Sequence, residues 1–165
     1  MPFNLLKTYN QLLELAHLSV SERAKSLLGI FKRDIEDNTA FNFRNKKVNP
    51  VKGEPIPMQT LFTHLTTVIT DEATRKREFE LNRSLRLHWV RHHIDEKKKD
   101  GMLVFSADDG VGIRTYILDE AEKYVIVLAP YRNQQEYYLL TAYYLEGRNV
   151  EKLKKKYKRR LPETL

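Results

Sequence analysis

Hydrophobic and polar residues alternate in four short runs of the last third of the chain, at 102–107, 111–118, 124–129 and 137–144. A period of two predicts strands. Asp109-Gly110 lies between the first two runs, and both residues tolerate positive φ, so a hairpin is expected there. In the second run Ile113, Thr115 and Ile117 share one side while Arg114 and Tyr116 take the other. The third run, YVIVLA, is apolar on both sides and is expected to be central. Short connections predict an antiparallel meander.

Upstream the period lengthens to that of a helix. Leu5, Leu6, Tyr9, Leu12, Leu13 and Ala16 predict a first amphipathic helix. Ser19 stands three residues before Glu22, a capping-box pattern, and Ala24, Leu27, Leu28, Phe31 and Ile35 predict a second helix stopping near Asp37-Asn38. From 38 to 57 periodicity is lost among Pro50, Gly53, Pro55 and Pro57, with Phe41 and Phe43 suggesting a short edge strand or docked loop. Met58, Leu61, Phe62, Leu65, Val68 and Ile69 predict a third helix, followed by an exposed turn or helix start at 71–80. Leu81, Leu85, His88, Trp89 and His92, with Leu87, Val90 and Ile94, predict a fourth helix over 81–97 that covers the sheet. A basic helix closes the chain. The expected class is α+β: a helical region with a proline-containing loop at 1–80, then a helix packed on a four-stranded antiparallel sheet at 81–165.

Composition adds charge to this picture. The 165 residues carry a formal net charge of +7, which favours polyanionic partners. There is no cysteine, so disulfides and thiolate metal sites are excluded. The opening residues lack the pattern of a secretory signal, and no apolar run approaches a membrane span, so a cytoplasmic location is expected. The cations concentrate in two places. Arg44, Lys46, Lys47 and Lys52 make the proline loop basic, and Lys152, Lys154, Lys155, Lys156, Lys158, Arg159 and Arg160 crowd the final helix. Both are candidate phosphate contacts; the bland alternative for the final helix is a solvated face docked through Leu153, Tyr157 and Leu161.

Individual residues suggest chemistry. Arg114, inside a half-buried strand, reads either as a phosphate clamp or as a side chain lying over tyrosine rings. Thr141 either relieves crowding or places a hydroxyl beside Arg114. The tyrosines, Tyr116, Tyr131, Tyr138 and Tyr143 among them, are ordinary strand residues or stacking surfaces for unpaired bases. His88 and His92 have the i, i+4 spacing of zinc helices, but Trp89 stands where a metalloprotease glutamate would, and no third ligand follows, so no metal or other cofactor is expected.

The segments RLHW (86–89), IRTYI (113–117), KYVIVL (123–128) and YYLLTAYYL (137–145), with the basic helix behind them, resemble the phage-associated nucleases of the barnase, EndoU, colicin and RelE-like superfamily. The resemblance covers about half the chain. It implies a helix followed by a four-stranded antiparallel sheet that carries the active site, and a metal-independent, often toxin-like ribonuclease. Such an enzyme uses the 2′-hydroxyl of its substrate as nucleophile. Carried onto this chain, the implied site is His88, Arg114 and Thr141, with Tyr116 in support. RNA is then the expected partner. A non-catalytic RNA-binding module, or a factor whose N-terminal helices bind an antitoxin or another protein, are the alternatives.

Overall fold

The computed structural model describes residues 3–51 and 54–165; Lys52 and Gly53 of the basic loop lie outside the described residues. The architecture is mixed α+β, with a six-stranded sheet and a separate two-stranded one. Four strands, β5 (Met102–Asp108), β6 (Ile113–Asp119), β7 (Tyr124–Pro130) and β8 (Glu136–Tyr144), form the antiparallel meander. The sheet is larger than the expected four strands. Two strands from the proline-containing region extend it, β1 (Asn42–Phe43) and β2 (Lys46–Asn49), in the order β1-β2-β8-β7-β6-β5. β2 runs parallel to β8, with Val48 beside Tyr137 and Asn49 beside Tyr138. Arg44 and Asn45, both at positive φ, make the tight reversal between β1 and β2.

Alternation sorts the sheet into two faces. Ile117, Tyr124, Ile126, Leu128, Tyr137, Leu139 and Ala142 join one core with the N-terminal elements. Phe105, Tyr116, Leu118, Val125 and Val127 join a second core with Leu153. Both faces are covered, which is why β7 is buried from Tyr124 to Ala129. A register shift between Val127 and Leu128 leaves Leu140 unmatched and sets Thr141 opposite Val127.

The helices depart from the periodic reading in three places. The capping box at Ser19 starts α1 (Val20–Phe31), which continues as a π-helical segment, Lys32–Glu36, and stops at Asp37 as expected. The first predicted helix is instead a short 3-10 turn, Phe3–Leu6, and an irregular segment. Its backbone groups find distant partners: Leu13 N donates to Leu85 O at 3.0 Å, and Trp89 Nε1 donates to Gln11 O at 3.0 Å. Those contacts replace the i→i−4 bonds that the apolar spacing favours. The third helix, α2 (Pro57–Thr66), ends early because the β-branched run Thr67 to Thr70 turns extended. Val68 and Ile69 therefore belong to β3 (Thr67–Asp71), which pairs with β4 (Lys76–Phe79) where a turn or helix start is expected.

The fourth helix is broken. Glu80 caps α3 (Leu81–Ser84) by accepting from the N–H groups of Asn82 and Arg83. Bonds of the i→i−3 kind then tighten the chain through Arg86, Leu87, Trp89 and Val90 before α4 (Trp89–Ile94). The break lets Arg83 and Ser84 face α2 and β8, while Trp89, Val90 and Ile94 enter the core against Ile117. The basic helix α5 (Asn149–Lys158) docks through Leu153, with Val150 and Tyr157 beside it. Among the described residues no helix is long and apolar enough to cross a membrane.

Asp119 fastens α4, the α4–β5 turn and the N-terminal segment to the end of β6. Its fully buried carboxylate accepts from Lys98 Nζ at 2.9 Å and from the Tyr9 hydroxyl, and His93 Nε2 lies 3.1 Å away, off the ideal hydrogen-bond line. Burial alone would raise the carboxyl; the donors from His93, Lys98 and Tyr9 reverse that and hold it far below the ordinary aspartate value. Asp119→Ala strands the partners of a buried ion pair and is expected to cost about 3 kcal/mol or more in denaturant unfolding. Because the folded carboxyl is depressed, the wild-type stabilisation is complete above the ordinary value of 3.8 and is lost as pH falls below it. A variant as stable as wild type at pH 7 would show that this network contributes nothing.

Candidate functional site

His88, Arg114 and Thr141 do not form a group. His88 is buried at the start of α4, where Nε2 meets the Thr8 carbonyl at 3.0 Å. Burial, and to a lesser degree Arg33, pulls its imidazole below the ordinary histidine range, against the opposing pull of the Thr8 carbonyl. It therefore belongs with the N-terminal segment, on the far side of the sheet from Tyr116. His92 stacks on Tyr9 with ring centroids 4.4 Å apart. Among the described residues no three His, Asp or Glu side chains gather in a metal-ligand set.

Arg114 does share a face with Tyr116, as alternation requires, and Ile117 takes the opposite face with α4. Its guanidinium turns back to its own hairpin, with Nη1 donating to Ile113 O at 3.1 Å and Nε 3.6 Å from Asp109. Thr141 is two strands across and two residues along, roughly 12 Å away by ordinary sheet spacings. The expected pairing of the two is therefore corrected.

Thr141 and Tyr116 meet different partners. At the free end of β8, α2 and α3 close against the strand. Arg83 Nη1 donates to the His64 carbonyl at 2.8 Å and approaches Thr141 Oγ1 at 3.4 Å; Thr141 Oγ1 in turn lies 3.3 Å from the same carbonyl. The guanidinium carbon stands 5.6 Å from the centre of the Tyr143 ring. Arg83 Nε is buried without a hydrogen-bond partner, 3.6 Å from the Glu80 carboxylate. Further along the same face Lys156 Nζ donates to the Tyr116 hydroxyl at 3.1 Å, reaching in from α5. Thr141, Tyr143 and Tyr116 thus line a strip between α2–α3 on one side and α5 on the other.

His64 and Arg77 complete the group. His64 ends α2 with its imidazole against the Leu140 carbonyl. It lines a cleft of about 330 Å³ with Arg77, Thr60 and Thr63. Arg77, on β4, is aimed there by bonds from Nε to Thr67 Oγ1 at 2.8 Å and from Nη2 to Thr67 O at 3.2 Å. Burial first, and the Arg77 charge next, pull His64 below its ordinary value of 6.5. Burial likewise lowers Arg83 and raises Tyr143, so the imidazole is neutral and the phenol protonated at neutral pH. A neutral base, two guanidiniums, a hydroxyl and a phenol are a set suited to an anionic ester.

Of the basic residues expected to hold nucleic acid, Lys152, Lys155 and Lys158 are exposed on α5 and Arg159 is exposed just past its end. Lys154 pairs with Glu120 at 2.6 Å, and Lys156 is half-buried on Tyr116. Lys47 is exposed on β2, and Lys46 lies over the Tyr137 ring on the other face. His64, Arg77 and Arg83 escape the sequence reading. The visible signal for Arg83 is its i, i+3 spacing to Arg86 within an apolar helical line; His64 and Arg77 join it through tertiary structure alone. Compared with protein-family models, curated proteins and solved structures, the chain matches none.

The His64 environment predicts its titration. Its imidazole carbon shifts, followed by NMR, should show a midpoint below 6.5, and Arg77→Ala should move that midpoint upward by removing a repelling charge. A midpoint that does not respond to Arg77→Ala would mean that the two charges do not share the cleft.

Proposed function

We propose that this protein is a metal-independent endoribonuclease related to the barnase, EndoU, colicin and RelE-like nucleases, with its active site at the β8 edge. The observation that carries the reading is the His64 imidazole in a cleft with Arg77, while Arg83, near enough that its charge also depresses the imidazole, and Thr141 meet on the His64 carbonyl with Tyr143 beyond them. In this reading neutral His64 takes the proton of the substrate's 2′-hydroxyl, whose oxygen attacks the adjacent phosphorus. Arg77 and Arg83 carry the cationic role, meeting the phosphoryl oxygens as negative charge builds on them; the unpartnered Arg83 Nε is a donor such an oxygen would satisfy. The Thr141 hydroxyl orients the phosphate. The bond from phosphorus to the 5′-oxygen breaks, Tyr143 supplies the leaving oxygen with a proton, and a 2′,3′-cyclic phosphate remains. The exposed lysines of α5 hold flanking RNA by charge. The toxin-like and prophage associations stay part of the proposal, as does an antitoxin-like partner.

Purified protein incubated with defined oligoribonucleotides, with and without EDTA, tests this. Cleavage should survive EDTA and leave cyclic-phosphate ends, and a 2′-deoxy group at the scissile position should stop it. His64→Gln and Arg77→Ala should each lower cleavage by about a hundredfold, the scale of losing one transition-state donor. Arg114→Ala should leave it near wild type. Neutralising Lys152, Lys155 and Lys158 should weaken binding and flatten its salt dependence. Absence of cleavage under every condition, with RNA binding retained, would replace the enzyme with a binding module.

A further inference from the structure

The strip that holds Thr141 continues past the register shift to a second cleft. Tyr138 points to the same face of β8, since it pairs with Ala129 as Thr141 pairs with Val127. Tyr131 packs on it, with ring centroids 4.3 Å apart and planes 30° from parallel. Asn49 pairs beside Tyr138 in the parallel ladder and is fixed by bonds to Glu136 Oε1 at 3.1 Å and Tyr137 O at 3.3 Å. With Pro57, Pro130 and Arg132 these residues line an open cleft of about 870 Å³. The proline walls are stiff, so the opening is held rather than induced. Pro57 opens α2, the helix that carries His64 at its other end, so the two clefts meet along one helix.

Two tyrosine rings in a rigid, partly exposed cleft are an unusual use of surface. Neither belongs to either core cluster. Burial first, and the neighbouring Tyr138 hydroxyl next, push the Tyr131 phenol up to about 12, so that ring stays uncharged at neutral pH. An aromatic face beside Arg132 suits a base with its phosphate, because every base offers a π-face and the cation meets the backbone. A base inside a duplex has its faces occupied by its neighbours and cannot stack here.

We propose that the Tyr131–Tyr138 cleft is a stacking subsite for an unpaired base of single-stranded RNA, next to the scissile phosphate. Tyr138 and Thr141 stand opposite Ala129 and Val127, two strand residues apart across the register shift and so about 7 Å, a gap that an adjoining nucleotide bridges. The inference rests on the ribonuclease reading for its ligand, and it restricts the substrate of that reading to RNA that is single-stranded around the cut.

The test is fluorescence anisotropy with two labelled probes: a single-stranded oligoribonucleotide made uncleavable by a 2′-deoxy scissile position, and the same sequence fully paired. Tyr138→Ala and Tyr131→Ala should each bind the single strand about tenfold more weakly and leave the duplex unchanged. Tyr138→Phe should keep wild-type affinity. A 2-aminopurine placed next to the scissile position should be quenched on binding to wild type but not to Tyr138→Ala. Equal affinity of wild type and both alanine variants for the single strand overturns the subsite, as does an equal loss for both probes or no binding by wild type at all. The two readings fail separately. Tyrosine-dependent binding without cleavage keeps the subsite and removes the enzyme. Cleavage that both alanine variants perform as well as wild type removes the subsite alone.

Discussion

One guanidinium joins the elements from which the candidate site is built. Arg83 reaches from α3 to the last carbonyl turn of α2 and to Thr141 on β8. A mostly buried arginine loses hydration, and its lowered affinity for its proton records that loss. Hydrogen bonds from Nη1 and the nearby Glu80 carboxylate offset part of the loss, but Nε is left without a bond. A site for an oxyanion would leave it to the ligand, and the second guanidinium of Arg77 lines the adjoining cleft.

The position of Arg83 depends in turn on the other face of the sheet. α3 and α4 are consecutive, and α4 is fixed by Trp89 against the N-terminal segment and by His93 and Asp119. The i→i−3 turns between them set the angle at which Arg83 leaves toward β8. The Asp119 network is therefore support rather than chemistry. Tyr9 and Lys98 donate to the carboxylate, His93 stands beside it, and together they hold it ionised. Of the proposed reacting groups, Thr141 and Tyr143 lie on the opposite face of β8, half-buried.

How much of this was legible in the sequence follows from the range of the interactions. The meander was readable because strand alternation and the Asp109-Gly110 turn are local, and the structure returns the expected sides for Arg114, Tyr116 and Ile117. The Ser19 cap was readable for the same reason. The segment containing Leu12 and Leu13 misled, since its apolar spacing is helical while its backbone bonds go to Leu85 and Trp89, more than seventy residues away. The β-branched run Thr67 to Thr70 was the missed local sign that helix three stops. The candidate site was least legible. Arg114 was singled out for being an arginine in a strand, but its charge is met within its own hairpin. Thr141 and Tyr116 do lie on the strip, yet their partners come from helices whose orientation no periodicity encodes.

The site draws on residues from 64 to 156, and no two of its cations are neighbours in one regular element. His64 comes from a helix end, Arg77 from a hairpin, Arg83 from a single capped turn and Lys156 from α5. None of these pieces fixes the others alone: α3 is only four residues, and β3–β4 is an isolated pair. They are brought into place by β8, which contacts α2 and α3 and lies between β7 and β2. The register shift beside Leu140 is what turns Thr141 to the strip and places the Leu140 carbonyl against His64. One irregular residue in the strand thus decides both the hydroxyl's direction and the imidazole's environment, so the chemistry of the strip is set by sheet register before it is set by any side chain.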